Sequence, residues 1–579
     1  MAASKRQRAK PDAALAQPET RAGWSLWRIA AALLASLILV FEIYGPALSG
    51  PFLLDDGYQF FGRPDVAYMN LSHWLNNVRP LLNLSFYINY QLSGTNTTSY
   101  HVVNVALHWV NAVLCFFILR RLLRAVAPDA APGWRADLAP LAAAALFLLH
   151  PVQTESVAYI SSRSELLSVM PAYAALLLFL TRPQAAIGWA RAAAVIMLFG
   201  TAVLSKEHAA ALPAVLILAD LFFHPDGPLR GIKANWRLYA PLAAAAALGL
   251  SFVWKTLSGT TSAGFRLAGL AWYEYFFTQW RMFWNYLRLT VLPFGLNADP
   301  DIALSRTVFD HGAILGGVAI VMLLAAAFVF RRRFPLAAFG IFTFVVLLAP
   351  TSSVVPIRDL FAERRLYLPM IGLLCIVLEG VRRLNPRQTG TLAAAAAVLL
   401  GASYLTWQRA HVWAGAIPLW SDTVTKSPNK YRPRFQYAFA LYQDHRCSEA
   451  AGQYEKTAAL ETLPGEQLYV DWALALDCAG RLEEAAAKLE QASRAIPSVL
   501  VYVNLAMIYG KSGRDEQALA ALDKAEQLSP RFAQVHAFRG NIYFSQQKPE
   551  AAAASYRKAL RFDPANQAAL HGLRALGAQ

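Results

Sequence analysis

The sequence contains little charge and few cysteines. Only 16% of its 579 residues are charged, and it has four cysteines. It has no CxxC pair, no HExxH segment and no glycine-rich phosphate loop, which argues against the common zinc, redox and nucleotide-binding motifs. By contrast, 56% of the residues are hydrophobic and the mean hydropathy is positive. Soluble chains of this length are less apolar, so the composition predicts a polytopic membrane protein.

The basic residues are distributed as membrane topology requires. The formal net charge is +16 at pH 7, and Lys and Arg cluster where apolar segments end. The clusters are MAASKRQRAK at the N-terminus, 120–124, 230–237, 331–333 and 382–387. Such clusters mark the cytoplasmic side of spans. A nucleic-acid interface would need one basic soluble face, so we expect no nucleic-acid partner.

Apolar segments predict about eleven transmembrane helices. They lie near 29–47, 103–119, 138–153, 164–181, 187–204, 209–223, 238–254, 312–330, 336–350, 366–381 and 390–407. The first has no small-residue cleavage site before Asp55, so we interpret it as a retained signal anchor with the N-terminus inside. An odd number of spans then places the C-terminus outside. For the aromatic segment 272–292 we expect a helix in the outer interface or a re-entrant hairpin.

The chain divides into three predicted regions within an all-α fold. A basic cytoplasmic tail (1–28) precedes a transmembrane domain (29–410) with an extracytoplasmic first loop (48–102), and an extracytoplasmic domain (411–579) follows. In the last region, prolines recur about every 34 residues, which is typical of tetratricopeptide repeats stacked into an α-solenoid. They are Pro428, Pro464, Pro497, Pro530 and Pro564.

A stack of this kind offers a concave surface for a peptide or protein. We expect a protein acceptor to bind within 420–579, and the alternative is that the stack docks on its own membrane domain or forms a dimer. Cys447 begins one repeat helix and Cys478 ends a helix of the next repeat. These ends meet in antiparallel stacking, so a disulfide is geometrically possible. Cys115 and Cys375 lie in spans, where we expect them in the core.

Acids, bases and histidines gather in the connections on the predicted outer side. They include Asp55, Asp56, Arg79, His101, His150, Glu155, Arg163, Lys206, Glu207, Asp299, Asp301, Glu363, Arg364, Arg365 and Tyr367. A carboxylate can take a proton from a hydroxyl, and Arg or Lys can hold a phosphate. This indicates a site for a substrate with a phosphate leaving group. Each residue alone could instead be a helix cap, an interface anchor or a buried hydrogen-bonded group. Asp299-Pro300-Asp301 is a weak candidate for a divalent cation, and we expect no metal.

Several stretches resemble a known family. LLDDGYQF, HPVQTESVAYISSRSELLS, LSKEHAA and FAERRLYLPMIG, followed by the repeats, are similar to the transmembrane-and-tetratricopeptide O-mannosyltransferases and their bacterial relatives. The resemblance covers nearly the whole chain. It implies the GT-C glycosyltransferase fold, a lipid-phosphate-linked sugar donor, inversion at the anomeric carbon and an acceptor on the extracytoplasmic side.

The resemblance also implies roles for single residues. Asp55 or Asp56 would be the general base, and we favour Asp55. The donor phosphate would be bound from among Arg79, Arg163, Lys206, Arg364 and Arg365. The supporting residues would be His101, His150, Glu155, Glu207, Glu363 and Tyr367.

The sequence therefore predicts a glycosyltransferase that moves a sugar from a polyprenyl phosphate to a Ser or Thr hydroxyl of a protein. Short loops and Ala- and Arg-rich spans favour a bacterial inner-membrane protein with periplasmic repeats. One alternative keeps the fold and changes the acceptor to a lipid or surface glycan. The other is a membrane-anchored repeat scaffold for envelope complexes, which would need neither so many spans nor the acid pair.

Overall fold

The computed structural model describes residues 26–577, except 64, 128–133, 226, 260–262, 266, 385–386 and 462–464. Within these residues the chain is all-α and contains no strand. The predicted tail lies almost wholly outside them. The chain forms two compact units, Met1–Pro418 and Leu419–Gln579. The predicted boundary at 410–411 falls too early because a continuous helix, Gln388–Val412, runs through it.

The first unit is built from sixteen described α-helices. They are α1 (Leu26–Tyr44), α2 (Leu71–Leu75), α3 (Pro80–Ser93), α4 (Thr97–Val126), α5 (Trp134–Leu149), α6 (Thr154–Ala158), α7 (Arg163–Leu180), α8 (Trp189–Ser205), α9 (Leu212–Phe223), α10 (Pro228–Ala234), α11 (Trp236–Gly259), α12 (Trp272–Val291), α13 (Ala313–Val329), α14 (Pro335–Leu348), α15 (Met370–Leu384) and α16 (Gln388–Val412). Short 3₁₀ helices carry many of the predicted site residues. They are Leu54–Tyr58, Pro151–Gln153, Ile160–Ser162, Glu207–Ala211 and Glu363–Leu366.

A helix occurs at each of the eleven predicted spans. Five segments among the described residues are long and apolar enough to cross a membrane: Ala30–Ala47, Thr97–Val126, Ile160–Leu180, Asp310–Val329 and Gln388–Val412. The pair Asp137–Leu149 and Pro151–Ala158, bent by 46°, would be a sixth if it is one broken span. Other apolar helices, such as α8 and α14, are shorter. The count of eleven therefore stays a prediction.

The aromatic segment forms one unbroken helix, α12, of 20 residues. The re-entrant hairpin is therefore wrong, and the physical reason is that the segment contains neither Gly nor Pro to break it. α12 packs closely on α13, where the Cβ of any larger residue at Gly316 would lie 2.8 Å from the Trp280 carbonyl oxygen. Its predicted position in the outer interface stays a prediction.

The first loop folds around an aromatic core. Phe61, Trp74, Phe86 and Tyr100 are buried together with Ile160, and edge and tilted ring contacts join them. Burial of large aromatic rings is a strong source of packing energy. The residues that carry the acid pair are thus held by a compact structure and not by a loose connection.

The second unit is a stack of helix pairs. Helix α17 (Ala416–Lys426) contains the unit boundary, and the stack consists of α18 (Tyr431–Gln443), α19 (Cys447–Ala458), α20 (Glu466–Cys478), α21 (Leu482–Ala495), α22 (Val499–Lys511), α23 (Asp515–Leu528), α24 (Ala533–Ser545), α25 (Pro549–Phe562) and α26 (Gln567–Ala575). Cys447 and Cys478 form a disulfide with their Cα atoms 5.7 Å apart. Cys115 and Cys375 are buried free thiols, as expected of core residues.

Candidate functional site

The acid pair lies in the 3₁₀ helix after α1, and its two carboxylates have opposite environments. Asp56 is 1% exposed. One of its oxygens accepts the Leu53 N–H at 2.9 Å, and the other accepts the N–H and the hydroxyl of Ser161 at 2.8 and 2.5 Å. Burial raises the pKa of Asp56 to about 7, although these hydrogen bonds oppose the shift. Asp56 therefore ties the first loop to the turn that precedes α7.

Asp55 shares none of these partners. It is exposed, and no described residue bonds or pairs with its carboxylate. Its backbone N–H donates to the Tyr159 hydroxyl at 3.1 Å. The preceding residue, Leu54, has a φ of 52°, a conformation that leucine rarely adopts. Such backbone strain persists only where surrounding contacts enforce it, and the bonds of Asp56 supply that constraint.

Two predicted cations are each paired with a carboxylate. Arg79 donates from Nε and Nη2 to the two oxygens of Glu207, both at 2.9 Å. Lys206 contacts Glu165, which also lies 3.4 Å from Nε2 of His208. Burial lowers the pKa of Lys206 and outweighs the opposing effect of Glu165. Burial also lowers the pKa of His208 to about 4, so His208 is neutral at pH 7.

Arg364 completes a cluster of three cations. Its guanidinium contacts Glu155 and lies 3.5 Å from Asp359, and its backbone N–H donates to Glu155 at 2.9 Å. Burial alone would lower the pKa of Arg364, but these carboxylates outweigh it and raise the pKa above its ordinary value. Arg79, Lys206 and Arg364 are close enough to interact electrostatically with one another.

Lys206 and Arg364 are each more accessible than one of the carboxylates that hold them, whereas Arg79 and Glu207 are about equally exposed. The Arg364 side chain is 23% exposed and that of Glu155 is 1% exposed. Lys206 is 14% exposed and Glu165 is 5% exposed. Glu155 and Glu165 therefore lie behind Arg364 and Lys206 and fix their orientation, as the supporting residues of a binding site do. An incoming anion would meet the cations first.

Tyr159 lies between the acid pair and the cation cluster. Its hydroxyl accepts the Asp55 N–H, and it is within electrostatic reach of Asp56 and Arg364. Its ring stacks on Trp413, with centroids 6.0 Å apart. Tyr159, Ser161 and Trp413 were not predicted as site residues. The signal for the first two was available, because they lie between Glu155 and Arg163 in the polar turn of the family-like motif.

Arg163 has a structural role that the sequence did not predict. Its side chain is fully buried and donates to Asn104 at 2.9 Å, to Asn89 at 2.8 Å and to the Tyr100 carbonyl at 3.0 Å. The guanidinium also lies 4.6 Å from the centre of the Phe86 ring. These contacts enclose it within the core of the first loop. The prediction that Arg163 binds the donor phosphate does not fit this position.

Arg365 and Glu363 are likewise committed to protein contacts. Arg365 is buried and donates to the Asp359 carbonyl at 2.6 Å and to the Tyr275 hydroxyl at 3.2 Å. Glu363 is buried and accepts the backbone N–H of Asn297. Arg365 therefore does not fit the predicted phosphate contact either, whereas Glu363 occupies a supporting position behind the site.

The predicted supporting histidines and tyrosine are buried. His101 and His150 hydrogen-bond to backbone carbonyls at 3.2 and 2.9 Å. The Tyr367 hydroxyl bonds to His108 at 2.8 Å and to Asn111 at 3.1 Å. The contacts of His101 and Tyr367 join α4 to the segments around it, and that of His150 joins the turn after α5 to α12. They position the helices and bring no reactive group to the surface.

Asp299 and Asp301 differ in exposure, Asp299 being buried and Asp301 exposed. The Asp299 N–H donates to the Asn297 side chain at 3.2 Å. Among the residues that the structure describes, no group of three His, Cys, Asp or Glu side chains could hold a metal ion. Within that part of the chain the aspartates lack a third ligand of these types.

Comparison with known proteins supports the predicted repeats and the resemblance to O-mannosyltransferases. Residues 499–532 match a tetratricopeptide repeat model and residues 540–573 match a TPR repeat model. Protein O-mannosyl-transferase F38B6.6 of Caenorhabditis elegans is 26% identical over 451 residues, covering 72% of this chain and 61% of the worm protein. Protein O-mannosyl-transferase TMTC4 of Homo sapiens is 41% identical over 105 residues, covering 17% of this chain and 14% of the human protein.

This chain is similar to protein O-mannosyl-transferases. It spans about three fifths of the worm relative and a smaller share of the human one. The solved structure of YrrB, a TPR protein with an unusual peptide-binding site, is 16% identical with a TM-score of 0.25, covering 31% of this chain and 89% of YrrB. TTC0263, a thermophilic TPR protein of Thermus thermophilus, is 19% identical with a TM-score of 0.25, covering 33% of this chain and 97% of TTC0263.

Proposed function

We propose that this protein is a membrane glycosyltransferase of the GT-C fold. It transfers a sugar from a polyprenyl phosphate to a Ser or Thr hydroxyl of a protein, with inversion at the anomeric carbon. The observation that carries this proposal is the exposed Asp55, which bonds through its N–H to Tyr159, together with a cation cluster whose Arg364 is within electrostatic reach of the same tyrosine. Asp55, as the base for the acceptor, and Arg364, as part of the binding site for the leaving phosphate, then both lie near Tyr159.

Asp55 is the general base in this proposal. Its carboxylate is exposed and without a partner among the described residues, so it can approach an acceptor hydroxyl. Asp56 is less suited, because both of its oxygens already accept hydrogen bonds inside the protein. Asp56 instead fixes the backbone from which Asp55 projects. A carboxylate base that takes the acceptor proton strengthens the attacking oxygen as the new bond forms.

The donor phosphate binds to Arg79, Lys206 and Arg364. Charge builds up on the phosphate as the bond to the anomeric carbon breaks, and preorganised cations stabilise that charge. The carboxylates behind Lys206 and Arg364 hold these cations in place before the donor arrives. Arg163 and Arg365 are not included, since protein acceptors surround their guanidinium groups.

The acceptor is a protein that the repeats select, on the periplasmic side of a bacterial inner membrane. The repeats support this choice because such stacks commonly bind peptides. The names of the relatives favour mannose as the sugar and a protein as the acceptor. We expect no further cofactor.

The test uses purified protein in liposomes with polyprenyl-phosphate mannose and a Ser/Thr-rich peptide, and mass spectrometry detects the mannosylated product. Asp55→Asn should lower the rate by about 10²- to 10⁴-fold, because it removes the base and keeps the side-chain size. Asp65→Asn is the matched control, since Asp65 is an exposed aspartate of the same loop. If Asp55→Asn were as active as Asp65→Asn, Asp55 would not be the base.

A further inference from the structure

Tyr159 is held rigidly in the turn between α6 and the 3₁₀ helix Ile160–Ser162. Its side chain is 4% exposed, and its ring stacks on the fully buried Trp413. Its backbone carbonyl accepts the Ser162 N–H at 3.0 Å and lies 3.4 Å from the Asn104 side-chain nitrogen. Ring and backbone are thus fixed independently of the hydroxyl. A hydroxyl at the end of such a side chain has a defined position.

The Tyr159 hydroxyl uses only part of its hydrogen-bonding capacity inside the protein. Its oxygen accepts the Asp55 N–H at 3.1 Å. No described residue accepts its proton, although a buried phenol normally donates one hydrogen bond. Asp55, Asp56 and Arg364 are all within electrostatic reach of the oxygen. Since the oxygens of Asp56 already accept from Leu53 and Ser161, the proton remains available to a ligand.

We propose that Tyr159 is a further active-site residue, which holds the backbone of Asp55 and donates its hydroxyl proton to the anionic phosphate bound beside Arg364. This inference rests on the proposed function and assigns to that site a group that the sequence did not predict. The hydrogen bond from Asp55 places the base. The outgoing O–H supplies a neutral donor in addition to the charged N–H donors of the cations.

The surroundings of Tyr159 keep it a donor and not a base. Burial raises the pKa of Tyr159 well above its ordinary value, and the two aspartates add to this effect. The phenol therefore keeps its proton at neutral pH, where a carboxylate base is ionised. An oxygen that accepts one hydrogen bond is polarised, which strengthens the bond that it donates. Both effects suit a donor to an anion.

The test is Tyr159→Phe in the full-length protein, because phenylalanine preserves the ring stacked on Trp413 and removes only the hydroxyl. With polyprenyl-phosphate mannose and the Ser/Thr peptide, kcat should fall by about 10- to 100-fold while the KM for the peptide changes less than about threefold. In hydrogen–deuterium exchange, the Asp55 amide should lose protection. Tyr173→Phe is the matched control, since Tyr173 is buried and its hydroxyl donates to the Leu368 carbonyl at 3.2 Å.

The outcomes separate this inference from the proposed function. If Asp55→Asn is inactive and Tyr159→Phe has the kcat of the control, Tyr159 has no catalytic role and the proposed function stands. If Asp55→Asn is active, the proposed base is wrong, and exchange at the Asp55 amide still decides whether Tyr159 holds it. Unchanged exchange in Tyr159→Phe would overturn the positioning role even if kcat fell. Equal loss of kcat in both Tyr→Phe variants would indicate a general effect of removing a hydroxyl.

Discussion

Two adjacent aspartates acquire different chemistry from their surroundings alone. Asp56 is enclosed and accepts three hydrogen bonds, whereas Asp55 faces outward with an unpaired carboxylate among the described residues. Within this dipeptide, Asp56 has a structural role and Asp55 carries the carboxylate that we propose to react. The position of Asp56 has an electrostatic cost, because burial disfavours its charged form.

The environment of Asp56 predicts a pH dependence of stability. Its pKa is about 7 in the folded protein, against 3.8 for an unperturbed aspartate. Between these values the folded state binds more protons than the unfolded state, so stability falls as pH rises, by at most about 1.4 kcal/mol per pH unit. The melting temperature in detergent should therefore decrease from pH 5 to pH 7. Asp56→Asn cannot ionise and should flatten this slope; equal slopes in both proteins would contradict the assignment.

Sequence patterns predicted the site residues to lie on one side of the membrane but did not distinguish their roles. Arg163 and Arg364 both follow polar motifs at helix starts, yet Arg163 is enclosed and Arg364 is accessible. The difference arises from the first loop. Its aromatic residues pack around Arg163, although they are distant from it in the sequence. Burial of this kind depends on tertiary packing, which a local pattern does not contain. Tyr159 lies within the family-like motif, but its bond to Asp55 joins residues far apart in the sequence and could not be predicted from that motif.

At the scale of elements, α14 and α15 cross at unusually short range. Gly340 and Gly372 face each other, and a Cβ on either would clash with the carbonyl oxygen of the other. Small residues at such crossings let two helix backbones approach closely in a membrane. α15 follows directly after the 3₁₀ helix that contains Arg364. The crossing therefore fixes the helix that follows Arg364, one of the cations proposed to bind the phosphate.

This crossing gives a prediction with an internal control. Gly372→Ala should lower the free energy of unfolding by about 1–3 kcal/mol, because the new methyl group overpacks the contact with α14. Gly380→Ala on the same helix should be neutral or slightly stabilising, since nothing lies within 4 Å of a Cβ at that position. Thermal denaturation followed by size-exclusion chromatography compares the two. A similar loss in both variants would mean that the crossing is not the cause.

In the repeat unit, the sequence predicted the helix pairs but not the backbone conformation of every turn between them. The proline period predicted the helix pairs, and Gly480 and Gly513 take the left-handed conformation at their turns. The corresponding turns of the neighbouring pairs contain His445 and Gln547, with φ of 59° and 57°. The left-handed conformation at such a turn is thus imposed by the packing of the helix pair and does not require glycine. For the apolar helices, the pattern predicted where helices lie, while the number that cross the bilayer, about eleven, stays a prediction.

The first unit as a whole has two chemically different ends. Helices α4 and α7 run parallel, because Asn104 contacts Arg163 near their starts and Arg121 donates to the Leu180 carbonyl near their ends. From Asn104 to Arg121 a helix rises about 25 Å, close to the thickness of a bilayer core of about 30 Å. The acid pair belongs to the first end. Arg121 belongs to the second, which the basic clusters predict to be the cytoplasmic end.

This polarity predicts that Tyr58 and Arg332 lie on opposite sides of the membrane. Both side chains are exposed, so a cysteine at either position can react with a membrane-impermeant maleimide. The native background is low, because Cys115 and Cys375 are buried and Cys447 is joined to its disulfide partner. In spheroplasts, Tyr58→Cys should be labelled at once and Arg332→Cys only after the membrane is permeabilised. Labelling of both in intact spheroplasts would place Asp55 and the arginine cluster on one side, and the outward-facing site would then be untenable.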